Sequence, residues 1–192
     1  MKKILLLLAL ASVCMLQAET FIKVTDPATL QDGDQIVMGY EAKAHVSAGF
    51  SDTQKFIATA NATFVGDQLT INEPTTITLK KNGSFWNLYI DSKPVGHASE
   101  SSDLDTKYRY TTDFTISIEN GNAKIVSQTP GKNKNEVFFA YNPSSPRFAL
   151  YHAGSNMKAI TLYRLDESTI PDVVVKEVTI DPADRKSTRL NS

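Results

Sequence analysis

Cysteine is almost missing from this chain: Cys14 is the only one, and it sits in an apolar run near the N-terminus. Removal of that run as a leader leaves no cysteine, which excludes disulfides, thiolate nucleophiles and cysteine-ligated metals. Histidine is sparse. His45, His97 and His152 lie far apart, and none stands in a HExxH or i, i+2 pattern that would place two ligands on one metal. No GxSxG elbow and no phosphate-cradling glycine loop occurs. The residues therefore give no ground to expect a cofactor, a metal site or a motif-based hydrolase. Helical periodicity is also lacking, since no apolar 3.6-residue pattern runs longer than two turns.

A long hydrophobic run is missing as well. Ile4 to Leu16 is uncharged, with Ser12 its one polar residue, but only 13 residues long, short of the roughly 20 that span a bilayer. Preceded by Lys2 and Lys3 and followed by Ala18 before the polar Glu19, it reads as a secretory signal peptide over residues 1–18. Val13 precedes Cys14 where a lipoprotein signal has a small residue. Secretion or display at the cell surface is the expectation, with no membrane span.

At the other end, Asp184 to Ser192, DRKSTRLNS, resembles the in-frame translation of a sequencing adapter. That resemblance implies that residues 184–192 are an artefact and that further domains of the protein have been lost. Residues 19–183 carry 15 Lys+Arg against 20 Asp+Glu, a net charge near −5. An acidic surface without a basic cluster excludes phosphate-driven nucleic-acid binding and attraction to anionic membranes.

What is present is alternation. Thr20 to Thr25 reads as a strand, and Asp26-Pro27 as a cap and first helical position. Asp32-Gly33-Asp34 reads as a turn, because no further oxygen ligands follow at calcium-loop spacings. Gln35 to Tyr40 puts Ile36, Met38 and Tyr40 on one face. Short strands follow at Gln54 to Ala60 and Ala62 to Val65, with Gly66-Asp67 turning into Leu69 and Ile71. Thr75 to Lys81 and Phe85 to Ile90 form a hairpin about Asn82-Gly83, with Ile77, Leu79, Trp86, Leu88 and Ile90 inward.

Asp91-Ser92 then turns into Lys93 to Ala98, and a polar loop, Ser99 to Asp105, follows. Asp113 to Ile118 and Ala123 to Ser127 flank an Asn-Gly turn, with Phe114, Ile116 and Ile118 inward. Glu136 to Tyr141 is the next strand. Arg147 to Leu165 reads as a closing hairpin, with Phe148 and Leu150 aligned in its first run and Ile160 and Leu162 in its second.

About ten to twelve short strands predict an all-β fold over residues 19–165: an antiparallel closed barrel, of a size that suits a β-trefoil, with a β-sandwich as the alternative. No convincing threefold repeat at the trefoil period of roughly 40 residues is present. Residues 166–183 read as a linker and the start of a truncated second module, its first strand running from Val173 to Ile180.

The stretches FIKVTDPATLQDGDQIVMGY, FWNLYIDSKPVGHAS, FTISIENGNAKI and RFALYHAGSNMKAITLYRL together resemble the β-rich accessory modules of secreted multidomain proteins from gut Bacteroidetes. The resemblance spans Phe21 to Leu165, and its motifs are structural: a Leu-x-x-Gly-Asp turn after the opening strand, and an Arg-Phe strand with an Ile-Thr-Leu-Tyr strand. It implies an exported accessory module beside other domains and assigns no catalytic residue. Asn61-Ala62-Thr63 and Asn82-Gly83-Ser84 match the eukaryotic glycosylation pattern, which the bacterial origin implied by the resemblance would make incidental.

Two functions stay open. A non-catalytic ligand-binding, adhesive or scaffold module needs an exposed recognition surface, and Tyr108-Arg109-Tyr110 supplies the candidate: two rings expected on one face of a short run with a guanidinium between them, beside a serine- and aspartate-rich loop. Such a surface suits an extracellular glycan, whose ring face stacks on an aromatic, or a protein surface. Tyr89 and Phe85, opposite Trp86, are further aromatics of this class. The alternative is a small secreted glycan hydrolase whose carboxylates meet only in the fold, with Asp103 and Asp105 as the candidate pair.

Overall fold

The computed structural model describes residues 18–51, 55–101, 103–105 and 107–169. The signal segment before Ala18, the second-module strand and the adapter-like tail lie outside them. The chain is all-β. Its strands are β1 Ala18–Lys23, β2 Gln35–Tyr40, β3 His45–Ser51, β4 Phe56–Asn61, β5 Thr63–Val65, β6 Gln68–Asn72 and β7 Ile77–Asn82. They continue as β8 Phe85–Ile90, β9 Lys93–Pro94, β10 Phe114–Glu119, β11 Asn122–Ser127, β12 Val137–Asn142, β13 Arg147–His152 and β14 Thr161–Leu165. No helix among the described residues is long and apolar enough to cross a membrane.

Local chemistry explains the punctuation. The Asp26 carboxylate accepts the Ala28 N–H at 2.9 Å and opens a 3-10 turn at Pro27. Asp34 accepts the Gln31 N–H at 2.8 Å and Asp32 the Lys81 N–H at 2.7 Å, so the Asp-Gly-Asp carboxylates tie a turn to β7. Asp91-Ser92 (φ 49° and 63°) and Asn120-Gly121 (φ 52° and 77°) adopt the paired positive φ of tight hairpin turns. The β7–β8 hairpin turns one residue later than expected. Asn82 pairs with Phe85, so Gly83-Ser84 is the loop and Gly83 takes the positive φ.

All fourteen strands belong to one antiparallel sheet, ordered β3-β4-β13-β12-β11-β10-β8-β7-β2-β14-β1-β6-β5, with β9 beside β8. Because β2 also pairs with β3, the first nine strands return on themselves. The ring is partial rather than a closed barrel with continuous ladders. Hairpins pair five or six residues, but the seams between them pair one or two, as at Phe114↔Trp86 and Val126↔Phe138. Strands β1, β6, β5 and β14 extend the sheet beyond β2 as a flap.

The expected closing hairpin does not form. Strand β13 pairs with β12 and β4, whereas β14 pairs with β2 and β1. The connecting segment crosses the ring: Lys158 and Tyr141 exchange backbone hydrogen bonds at 2.9 Å, and the Ala123 N–H reaches the Ile160 carbonyl at 2.7 Å. Burial gives the reason. Thr161, Leu162, Tyr163 and Leu165 are all buried, so β14 has two apolar sides to cover and takes a central position between β1 and β2.

Two cores result. Inside the ring lie Ile36, Met38, Ile57, Leu79, Trp86, Phe114, Phe139, Phe148 and Leu162 with their neighbours. Between flap and ring lie Phe21, Val37, Val46, Leu69, Ile71, Tyr163 and Leu165. Full burial of each large side chain contributes on the order of 1.5–3 kcal/mol. Ile116 and Ile118 pack on the ring core only half-buried.

Candidate functional site

The long connection from β9 to β10 carries Tyr108, Arg109 and Tyr110, and it is organised from below. The Gly96 carbonyl accepts the Asp105 N–H at 2.6 Å. A Cβ on Gly96 would stand 2.4 Å from the Tyr110 carbonyl oxygen, so only glycine admits this approach. Leu104 is buried and donates its N–H to the Lys55 carbonyl at 3.1 Å. Within the polar loop from Ser99 to Asp105, Leu104 and Asp105 are buried.

Asp105 is the hub. Its carboxylate accepts the Arg109 N–H at 2.7 Å, the Lys107 N–H at 3.2 Å, and the Arg109 Nε and Nη2 groups at 3.4 Å each. Burial pushes this carboxyl upward, but the bonds from Arg109 and Lys107 outweigh it and hold the group below its ordinary value. The side chain that closes the turn is thus a carboxylate at neutral pH. Tyr108 takes a positive φ of 54°, and its N–H returns to the Asp105 carbonyl at 3.0 Å.

That backbone reversal separates the two tyrosines, which lie outside any strand. The Tyr108 ring packs on Phe50 at 5.1 Å between centroids, with the Lys93 ammonium 4.6 Å away. Tyr110 is exposed and lies 5.1 Å from the Arg109 guanidinium. Arg109 and Tyr110 line a depression of about 330 Å³ together with Lys55, Asp103, Asp105 and Lys107. Tyr108 is not among the residues that line it. The other candidate carboxylate, Asp103, is exposed and ion-paired with Lys55 at 3.2 Å.

A second depression, of about 290 Å³, shares Lys55 and Asp103 and adds Phe56, Arg147, Tyr151 and His152. Here a strand does the positioning. Asn142↔Arg147 closes the β12–β13 hairpin, and Arg147 Nε and Asn142 Nδ2 both donate to the Tyr151 hydroxyl at 3.2 Å. The Arg147 guanidinium lies 5.0 Å from the Phe56 ring centroid. Sequence reasoning missed this half, although the signal was present: period-2 alternation puts Arg147 and Tyr151 opposite the inward Phe148 and Leu150.

The three histidines have separate surroundings. His45 Nδ1 meets the Tyr141 hydroxyl at 2.6 Å, and His152 Nδ1 meets the Ala153 carbonyl at 2.7 Å. His97 is buried beneath the loop, its Nδ1 3.4 Å from Ser127 Oγ and its Nε2 without a partner among the described residues. Burial lowers its pKa, against a smaller opposing effect of the Thr129 backbone. No group of three or more His, Cys, Asp or Glu side chains able to hold a metal occurs among the described residues.

A larger groove of about 520 Å³ lies between Asp32-Asp34 and Arg164-Ser168, but no aromatic ring lines it. The Asp105-anchored groove joins an exposed ring, Tyr110, to a guanidinium, Arg109. No family model, no curated protein and no solved structure matches the chain, so these side chains alone carry its functional reading.

Proposed function

We propose that the chain is a non-catalytic module, secreted or held at the cell surface as part of a larger protein, that binds an extracellular glycan or protein surface through Arg109 and Tyr110. One observation carries the reading: a single buried carboxylate, Asp105, takes hydrogen bonds from the backbone and guanidinium of Arg109 and so fixes the loop before any ligand arrives. Preorganisation of this kind lowers the entropy lost on binding. A guanidinium beside an exposed ring offers both a hydrogen-bonding fork and a stacking face.

The hydrolase alternative is weaker on chemistry. Glycoside hydrolysis asks for one carboxyl group kept protonated by a raised pKa. In this groove Asp103 is engaged by Lys55, and Asp105 is held below its ordinary value by Arg109.

A sugar stacked on one tyrosine is stabilised by roughly 0.5–1.5 kcal/mol, so a single module binds weakly and arrays of it bind usefully. The test is a glycan array probed with a multimerised chain. Binding that is lost in Tyr110→Ala and Arg109→Ala, in variants that still unfold cooperatively, supports the reading. A blank array, or binding indifferent to both substitutions, returns the module to a scaffold role.

A further inference from the structure

We infer that the Arg109 groove and the Arg147 groove are two halves of one site, and that the site takes an acidic polysaccharide whose carboxylate or sulfate groups meet the two guanidinium groups. The inference rests on the binding-module reading above and names its ligand class. Continuity comes first. Lys55 and Asp103 line both depressions, so the ion pair between them marks the boundary of two halves that adjoin.

Charge comes second. Lys55, Lys107, Arg109 and Arg147 face Asp103 and Asp105, an excess of two positive charges on a chain whose residues 19–183 are net acidic. Asp105 is matched by Arg109, and Asp103 by Lys55. Lys107 and Arg147 have no carboxylate partner among the described residues. The Arg147 contact to Tyr151 uses Nε and leaves the terminal nitrogens to the groove.

Geometry comes third. Arg147 sits on a strand, held by Tyr151 and lying against Phe56, and Arg109 sits on a loop held by Asp105. A planar guanidinium presents parallel N–H groups to a carboxylate or sulfate, which a neutral hydroxyl cannot match in strength. Exposed Tyr110 lines one half and half-buried Tyr151 the other, so each half carries an aromatic ring.

The full chain, multimerised, is to be tested on immobilised chondroitin sulfate, polygalacturonate and neutral xylan, with duplex DNA as a charged control. Binding is expected to at least one acidic polysaccharide and not to xylan, weakening at least tenfold between about 50 and about 500 mM salt. Binding to polygalacturonate assigns the carboxylate, and binding to chondroitin sulfate alone assigns the sulfate. Arg147→Gln and Arg109→Gln each lower affinity about tenfold, whereas Arg164→Gln, in the other groove, leaves it unchanged.

Equal binding to xylan overturns the acidic class and leaves the binding-module reading standing. Binding unaffected by Arg147→Gln overturns the second half of the site. Duplex DNA bound as tightly as the polysaccharides reduces the contact to charge alone. Failure on every polymer together with a blank glycan array removes both readings.

Discussion

The Asp105 carboxylate meets the Arg109 backbone N–H at 2.7 Å while facing the same residue's guanidinium at 3.4 Å. One residue thus serves as the peg for both the main chain and the side chain of another. Replacing the carboxylate by an amide weakens both contacts. Asp105→Asn is expected to cost about 1–3 kcal/mol, read by urea unfolding, and to open the connection from β9 to β10 to limited proteolysis. The pH dependence follows from the lowered carboxyl. Its contribution is fully present above the ordinary aspartate value of 3.8 and is lost as pH falls through the lower folded value. A variant whose acid unfolding curve superimposes on the parent's would show that Asp105 does not hold the loop.

His97 titrates in a different window. Its folded pKa is depressed by burial below the ordinary 6.5, so below that value the unfolded chain binds the proton that the folded chain refuses. Stability is expected to fall as pH drops from about 6.5 toward the folded value, by up to about 1.4 kcal/mol per pH unit. His97→Gln is expected to remove that slope. Thermal midpoints at pH 5 and pH 7 check it, and an unchanged difference between them in the variant would assign the slope to another group.

Gly96 is fixed by contact rather than by φ. A methyl group there meets the Tyr110 carbonyl at 2.4 Å, and backbone has little freedom to yield. Gly96→Ala is expected to destabilise by about 1–3 kcal/mol and to weaken glycan binding through Tyr110, while Gly66→Ala, with open space around it, acts only on its own turn. Comparable binding losses in the two variants would argue against transmission through Tyr110.

Strand position predicts which truncations are tolerated at single residues. Leu162 is buried in β14, where removal of its side chain is expected to cost about 2–5 kcal/mol. Val65, at the outer edge of the flap and 70% exposed, is expected to change stability by less than about 0.5 kcal/mol as Val65→Ala. Guanidinium melts of the two variants provide the measurement, and similar midpoints would contradict the central placement of β14.

Legibility followed the range of the interaction. The β7–β8 hairpin could be read from residues alone, because alternation and a glycine turn are local properties: Ile77, Leu79, Leu88 and Ile90 are inward as expected. Val37 could not. It alternates with Ile36 and Met38 and reads as outward, yet the flap that buries it comes from Phe21, Leu69 and Tyr163, distant in the chain. The same limit hid the partners of β13 and β14, since alternation reports which way a side chain points and nothing about its neighbouring strand. At the site, Arg109 and Tyr110 were visible as composition. The role of Asp105 as their peg was not visible, because hydrogen bonds within an irregular loop leave no periodic trace.

The place of β14 has a consequence in time. Phe21 pairs with Leu165 and Ile36 with Arg164, so β14, the last strand among the described residues, separates the first two. Neither β1 nor β2 can complete its ladder until almost the whole module has been synthesised. Long-range pairing of this kind makes folding slow and late rather than progressive from the N-terminus. Phe21, Val37 and Val46 share the flap core with Tyr163 and Leu165, so that core stays incomplete until β14 has emerged.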